Sequence, residues 1–481
     1  MGRLGVALVG AALVAAAAAL AADDAPSSPK EAPRPLDPRV WRVGELIDDV
    51  AFTDLEGKAG RLSDWRGKTL VVALTNTGCP VCKRYGPRLA ELSAEFGKRG
   101  AEFLFVDPTE SDTADALRAV AKERGFKARL VLDADHAVSR ALGAQTTADV
   151  FVLDGARTLV YRGPVDDQYG LGYQREAPRR EYLREALETV LAGGVPRDAA
   201  FWAPGCLLPV PCGSGLVAEA APTWHGRVAR IVQRNCQECH REGENGPFPL
   251  MTYADAKANA EMVKLMVGKG AMPPWFAAAT SGPFANDRSL SERDRADVLA
   301  WVDAGCPEGD AKDAPLPVAW EKGWKIGKPD LVVETSRSVA VAATGRMRYQ
   351  YVVAYPEVAE DKWIAAMEVK PSAPQVVHHV LVFLRFPRSD PRFAPPDPGE
   401  GLESFFAAMV PGEGHVVFPE GTAKRLPRGA NLVFQVHYTP NGTATEDRPR
   451  IAFRWAKRPP EREVRTTGIY DVKFKIPPGA E

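Results

Sequence analysis

The apolar pattern of this chain changes period twice, each time across a proline-rich stretch, and that change limits the folds open to it. From about Arg42 to Gly194, strand-like runs at 69–74, 103–106, 128–132, 150–153 and 159–162 alternate with helical spacing at 80–96, 113–124 and 182–191. Strands separated by helices predict an α/β sheet layered with helices. Between Trp224 and Gly305 only helical spacing occurs, at 228–235, 253–267 and 291–303, with Ser291 as an N-cap. After Pro329 the period becomes two. Runs at 331–334, 349–353, 363–369, 376–383, 432–438 and 451–455 sit between Pro/Gly turns and predict an antiparallel β-sandwich.

The expected organisation is a multi-domain chain: an α/β domain at 39–195, a small all-α domain at 223–306 and an all-β sandwich at 329–481. Linkers at 22–38, 196–222 and 307–328 separate them. A length of 481 residues suits about three domains. Lys plus Arg (61) balances Asp plus Glu (62), which gives no cationic surface for a phosphate backbone and argues against nucleic-acid binding. Seven cysteines are too few for a disulfide-built scaffold, so their placement is what informs. Residues 1–21 read as a secretory signal: Arg3, an apolar run over 4–20, and Ala19-Leu20-Ala21 as cleavage site. An uncleaved membrane anchor is the alternative. Either reading places the body outside the cytoplasm, periplasmic or secreted, and no other run is apolar enough to cross a bilayer.

Cys79 and Cys82 follow a predicted strand and open a predicted helix, as Thr77-Gly78-Cys79-Pro80-Val81-Cys82. A thiol at a helix N-terminus feels the positive end of the dipole and becomes the attacking thiolate. Pro80 suits the first helical position, and Cys82 is placed to resolve a mixed disulfide. A static disulfide and a zinc half-site are the competing readings. The stretch 42–194, centred on 76–82, resembles the thioredoxin superfamily and especially its redoxin, or peroxiredoxin-like, branch. That family has a cis-proline facing the motif, whereas this chain reads Thr146-Thr147-Ala148-Asp149 there. The departure suggests an exchange partner within the same chain.

Cys236-Gln237-Glu238-Cys239-His240 is CxxCH, whose two thiols can add to the vinyl groups of a heme while His240 faces the iron. A second redox pair or a zinc site would use the same residues. Met272, in Met272-Pro273-Pro274-Trp275, is the candidate sixth ligand. Met251 and His225 compete, and Met262 and Met266 read as core. The stretch resembles a small cytochrome c domain, and its Met-Pro-Pro-Trp is similar to that of planctomycete-type fusion proteins.

Three of the seven histidines fall in two apolar strands, at His378, His379 and His437. Neighbours on a regular strand point to opposite faces, so His378 and His379 can share an ion only at a bulge, at a strand end or through different ring nitrogens. Imidazole-only ligation suits copper or zinc. Residues 329–481 resemble the first half of the copper type II, ascorbate-dependent monooxygenases, in which such histidines hold an electron-donating copper. That resemblance implies O2 as co-substrate, with ascorbate or the chain's own heme as reductant. No histidine follows Tyr438 to match the family's second half, which binds the oxygen-activating copper, so the expectation is either a truncated sequence or a natural half-enzyme. His415 and Met409 are weaker candidates, as loop and packing residues. Cys206, Cys212 and Cys306 remain, with Cys206–Cys212 and Cys206–Cys306 as open pairings. Asn441-Gly442-Thr443 is a formal sequon that reads as a turn.

The expected function is that of an exported oxidoreductase of copper monooxygenase type with thioredoxin-like and c-type heme electron-transfer domains. A small-molecule or peptide substrate and electron donor or acceptor proteins would be its partners. An electron-transfer protein without hydroxylase activity, or a metal-binding scaffold, is the alternative.

Overall fold

The computed structural model describes residues 33–170, 173–208, 221–275, 286–320, 322–387 and 404–466, with single positions at 277, 281, 282, 284, 473, 475 and 477–479. The signal-like segment and Cys212 lie outside the described residues. Among the described residues no helix is long and apolar enough to cross a membrane. The chain divides into two compact units: one takes residues up to Arg234 together with Ala260–Ala319, the other Asn235–Asn259 with Trp320–Glu481.

In the first unit a hairpin of β1 (Ala51–Thr53) and β2 (Ala59–Arg61) precedes a five-stranded sheet. Its strands are β3 (Thr69–Leu74), β4 (Ala101–Asp107), β5 (Arg129–Leu132), β6 (Val150–Leu153) and β7 (Leu159–Gly163), in the order β5-β4-β3-β6-β7. β3, β4 and β5 run parallel, while β6 and β7 are antiparallel to their neighbours. Both faces of the sheet are covered, which is why its strands read as continuous apolar runs. Val71, Ala73, Phe103, Phe105, Val150 and Val152 point to one core. Their alternates Leu70, Val72, Leu104, Val106 and Phe151 point to the other. Helices α1 (Pro80–Gly97), α2 (Ala114–Arg124) and, after α3 (Ala137–Leu142), α4 (Tyr182–Leu191) supply the first core; α3 supplies the second. The pair β8 (Tyr169–Gly170) and β9 (Tyr173–Gln174) precedes α4.

The stretch expected as one α domain is divided between the two units. Its helices are α5 (Ala229–Asn235), α6 (Tyr253–Ala258), α7 (Ala260–Gly268) and α8 (Glu292–Asp303). A π-helical turn at Trp224–Val228 leads into α5. The single helix expected over 253–267 breaks at Asn259, whose side-chain amide donates to the Asp255 carbonyl at 2.8 Å and competes with the helical bond. Ser291 Oγ caps α8 by accepting from Asp294 N–H at 3.0 Å. Met262, expected in the core, is 50% exposed; Ala260 and Val267 are the buried positions of α7.

The second unit is mostly β. Its strands are β10 (Leu331–Glu334), β11 (Val339–Val341), β12 (Gln350–Ala354), β13 (Lys362–Lys370), β14 (Val377–Arg385), β15 (Phe405–Met409), β16 (His415–Val417), β17 (Thr422–Leu426), β18 (Asn431–Tyr438), β19 (Thr445–Asp447), β20 (Arg450–Trp455) and β21 (Arg462–Glu463). One sheet has the order β10-β20-β13-β17-β21 with β16 beside β13, the other β12-β18-β14-β15, and β11 pairs with β19. Val333, Ile364 and Phe453 of the first sheet share a core with Val352, Val380 and Phe434 of the second. Met409 packs in that core.

Arg162 and Asp149 form an ion pair at 3.3 Å with side chains only 2% exposed. Removing the cation would leave a carboxylate buried without its counter-charge. Arg162→Met is expected to lower the local stability of β6 and β7 by about 3–5 kcal/mol, read by amide hydrogen exchange of those strands. A loss below about 1 kcal/mol would show that the pair behaves like a surface contact.

Candidate functional site

The redox pair is built from the end of β3 and the start of α1. Asn76 folds the connecting turn: its Oδ1 accepts from Gly78 N–H at 2.8 Å and Cys79 N–H at 2.6 Å. Its amide donates to Thr109 Oγ1 at 2.6 Å. Cys79 becomes the N-cap of α1, with Pro80 in its first turn. Cys79 and Cys82 are thiols, 2% and 3% exposed. Cys82 Sγ lies 3.0 Å from the Thr147 carbonyl oxygen. The Thr147–Ala148 peptide, at the position where the thioredoxin resemblance implies a cis-proline, is trans.

The two thiols are driven in opposite directions. A hydrogen bond from Cys82, assisted by the Thr147 hydroxyl and the N–H groups of Cys82 and Val81, brings the Cys79 thiol down to about 4 against the cost of burial. Cys82 is pushed up by that same thiolate and by burial. One sulfur is therefore ionised and the other holds its proton, the division of roles that nucleophile and resolving thiol require. Arg124 is buried beside the turn and donates to Thr75 Oγ1 at 2.7 Å and the Asn76 carbonyl at 3.1 Å. Asp107, at the end of β4, is pushed up to about 7 by burial and by Asp112, which makes it a proton-holding group near neutrality.

Sequence reasoning singled out Cys79, Cys82 and the 146–149 loop, but missed two neighbours. Arg124 carried no signal, since it sits on a helix expected to be amphipathic. Cys206 reads in sequence as a partner of Cys212 or Cys306, yet its backbone pairs with Thr147, whose carbonyl oxygen meets Cys82 Sγ.

In the second unit His378, His379 and His437 offer ring nitrogens that all lie within 4.8 Å of one another. The pairing of β14 with β18 slips between Val377 and His379, so β14 bulges at His378 and both neighbours turn to one side. His379 is directly opposite His437. The ring centroids are 5.0–5.2 Å apart, and Tyr349 lies 4.9 Å from His437. Nδ1 of His378 is 3.0 Å from Nδ1 of His379, and buried Nδ1 of His437 has no hydrogen-bond partner among the described residues. Converging ring nitrogens without protein acceptors fit a metal ion. His415 lies outside this trio, among Lys325, Glu368 and Glu238.

Cys236, Cys239 and His240 belong to that same second unit, Met272 to the first. His240 Nδ1 lies 3.0 Å from the Phe248 carbonyl, which orients the ring and leaves Nε2 as the ligating nitrogen. A Cβ on Gly246 would stand 2.7 Å from the Cys239 carbonyl oxygen and 2.8 Å from His240 Cα, so the following loop wraps closely around the motif. These residues fit a heme held by two thioethers and one imidazole. Asn245, in that loop, donates to the Pro374 carbonyl at 2.8 Å, just ahead of β14.

A sequence profile of the AhpC/TSA family matches residues 43–162. Over 112 residues the chain is 31% identical to the thiol-disulfide oxidoreductase ResA of Geobacillus thermodenitrificans (strain NG80-2), covering 23% of this chain and 63% of that protein. Over 143 residues it is 26% identical to ResA of Bacillus thuringiensis subsp. konkukian (strain 97-27), covering 30% and 78%. The chain thus spans 63% of the length of the two Geobacillus relatives. Among solved structures, a hypothetical protein of Sinorhizobium meliloti 1021 is 24% identical with a TM-score of 0.33, over 38% of this chain and 100% of that one. A thioredoxin domain of a thiol-disulfide oxidoreductase from Bacteroides vulgatus is 20% identical with a TM-score of 0.23, over 25% and 86%. The chain carries a thioredoxin-like redoxin domain similar in sequence to thiol-disulfide oxidoreductases.

A thiolate at Cys79 has a direct signature. The ultraviolet thiolate absorbance of the reduced chain, less that of Cys79→Ser, should persist at neutral pH and vanish as pH falls through about 4. A midpoint near the ordinary cysteine value of about 8.5 would overturn the assignment of Cys79 as the ionised thiol.

Proposed function

We propose that this chain is an exported thiol–disulfide oxidoreductase whose second unit carries a covalent heme c and a copper ion. The observation that carries the reading is a pair of buried free thiols three residues apart, with Cys79 at the N-cap of α1 and Cys82 Sγ 3.0 Å from the Thr147 carbonyl oxygen. The relatives named thiol-disulfide oxidoreductases support it. In this reading Cys79 attacks one sulfur of a partner disulfide, forming a mixed disulfide and releasing the other sulfur as a thiolate. Cys82 then loses its proton and attacks Cys79 Sγ, which frees the partner's second thiolate. The partner gains two electrons and two protons, and the chain is left with a Cys79–Cys82 disulfide. Arg124 steadies the negative charge that moves between the two sulfurs, and Asp107 is placed to hold a proton nearby.

A second reading, a copper monooxygenase-type protein, is favoured by the His378, His379 and His437 trio. Copper bound there would supply one-electron transfer, and a heme at Cys236, Cys239 and His240 would do the same. The chain's own residues hold the three imidazoles on one side of a bulged strand and keep Nε2 of His240 available. Ascorbate or the heme would be the reductant, with O2 and electron-transfer proteins as partners. Export is supported by the signal-like N-terminal sequence.

One measurement tests the thiol reading, and a second tests the copper site that both readings share. Wild type should reduce a protein disulfide such as that of insulin, and Cys79→Ser should lose the activity while binding copper normally; equal reduction by both would refute the thiol reading. Copper(II) added to the full chain should bind at one equivalent, and His437→Ala should lose at least about tenfold in affinity, in line with the loss of one coordinating imidazole. Undiminished binding by His437→Ala would remove the trio as the copper site.

A further inference from the structure

Residues 205–208 lie along the loop that faces the redox pair. Thr146 and Leu207 form an antiparallel bridge. Thr147 N–H donates to the Cys206 carbonyl at 3.0 Å, and Leu208 N–H to the Gln145 carbonyl at 2.9 Å. Cys206 N–H donates back to Thr147 Oγ1 at 3.1 Å. The Thr147 carbonyl oxygen in turn lies 3.0 Å from Cys82 Sγ, so one residue ties the Cys206 segment to the redox pair. The approach is close enough to require glycine before Cys206: a Cβ on Gly205 would stand 3.0 Å from Ala148 N and 3.1 Å from Thr146 Cβ. This is strand addition, the mode by which an extended peptide docks on exposed backbone, here performed by the chain's own segment. Cys79 is covered, whereas Cys206 is exposed.

We propose that Cys206 is a third redox cysteine of the thioredoxin-like domain, which exchanges disulfides with Cys79 inside the chain and carries them from the covered Cys79–Cys82 pair to the surface. The inference rests on the thiol–disulfide reading above and supplies its in-chain partner. Starting from the Cys79–Cys82 disulfide, Cys206 gives up its proton and its sulfur attacks Cys79 Sγ. The Cys79–Cys206 bond forms, the Cys79–Cys82 bond breaks, and Cys82 leaves as a thiolate that takes up a proton. One disulfide replaces another with no net oxidation. An external thiol can then attack the exposed Cys206 sulfur and release Cys79, whose stability as a thiolate makes it the better leaving group. A second external thiol frees Cys206, so two electrons enter the chain and the external thiols leave as a disulfide. Burial, and then the ionised Cys79, push the Cys206 thiol up. Once Cys79 is in a disulfide that charge is gone, and Cys206 ionises more readily when exchange requires it.

The test uses the full chain as Cys82→Ser, which removes the resolving thiol of the CxxC pair and leaves Cys206 to resolve an adduct on Cys79. Oxidised glutathione is added in small excess, and peptide mass mapping follows Cys79. The expected result is a transient glutathione adduct at Cys79, then its loss with release of glutathione and appearance of a Cys79–Cys206 cross-linked peptide. In Cys82→Ser/Cys206→Ser the adduct should persist. An adduct that persists equally in both variants overturns the inference alone, leaving the thiol–disulfide reading intact. A Cys79 that takes no glutathione in either variant overturns both.

Discussion

The redox loop is held by one carboxylate cut off from water. Asp149 accepts from Gln145 N–H at 2.8 Å, from Thr146 N–H at 3.3 Å and from Arg162 at 3.3 Å. Burial pushes this carboxyl up, and Arg162 and the two N–H groups pull it back. With residues 145 and 146 fixed, Thr147 has little freedom, and every sulfur of the site depends on it. Its carbonyl meets Cys82, its hydroxyl accepts from Cys206 N–H, and its own N–H pairs with the Cys206 carbonyl. The pair lies on strands and a loop far from the CxxC in sequence, so the nucleophile's environment is set by tertiary structure rather than by the motif.

That dependence explains how the two thiols separate. A helix N-terminus alone would favour both sulfurs near it. Here the hydrogen bond between them comes first among the causes in each direction, lowering one and raising the other. Burial then amplifies the difference, because a charge shared between two buried sulfurs is far less costly than two charges. Asn76, which gives two acceptor contacts to the N–H groups of the turn, keeps Cys79 at the helix cap where that sharing is possible.

What was legible in the sequence was whatever local period or spacing encodes. Strands β3, β6 and β10 coincide with their expected runs, and α4 begins and ends where expected. Short elements escaped: α3 has six residues and β11 three, too few to display a period. The break at Asn259 depends on a single side-chain hydrogen bond, which a continuous apolar pattern hides. CxxC could be read from spacing alone, but Cys206 could not, because nothing local records which loop it pairs with. Sequence also permitted two adjacent histidines to share an ion only under special geometry. The bulge that turns them together comes from a register slip against β18, visible only once the strands are paired.

The second unit shows the same reliance on a buried carboxylate. Asp447 accepts from the N–H groups of Ser372 and Ala373 at 2.7 and 2.8 Å, from Ser372 Oγ at 3.0 Å and from Tyr438 OH at 2.8 Å. It thereby fixes the turn that enters β14 just before His378 and the residue that follows His437, both sides of the trio at once. Asn245 ties the CxxCH loop to that same turn through Pro374. The proposed one-electron centres therefore hang on a shared framework within one compact unit, while the two-electron thiol chemistry belongs to the other. Two-electron thiol exchange needs sulfurs in contact, whereas single-electron transfer works across a short gap between its centres. Thr147 gathers the cysteine-bearing segments of the first unit, and Asp447 and Asn245 tie the histidine strands and the CxxCH loop to one turn of the second.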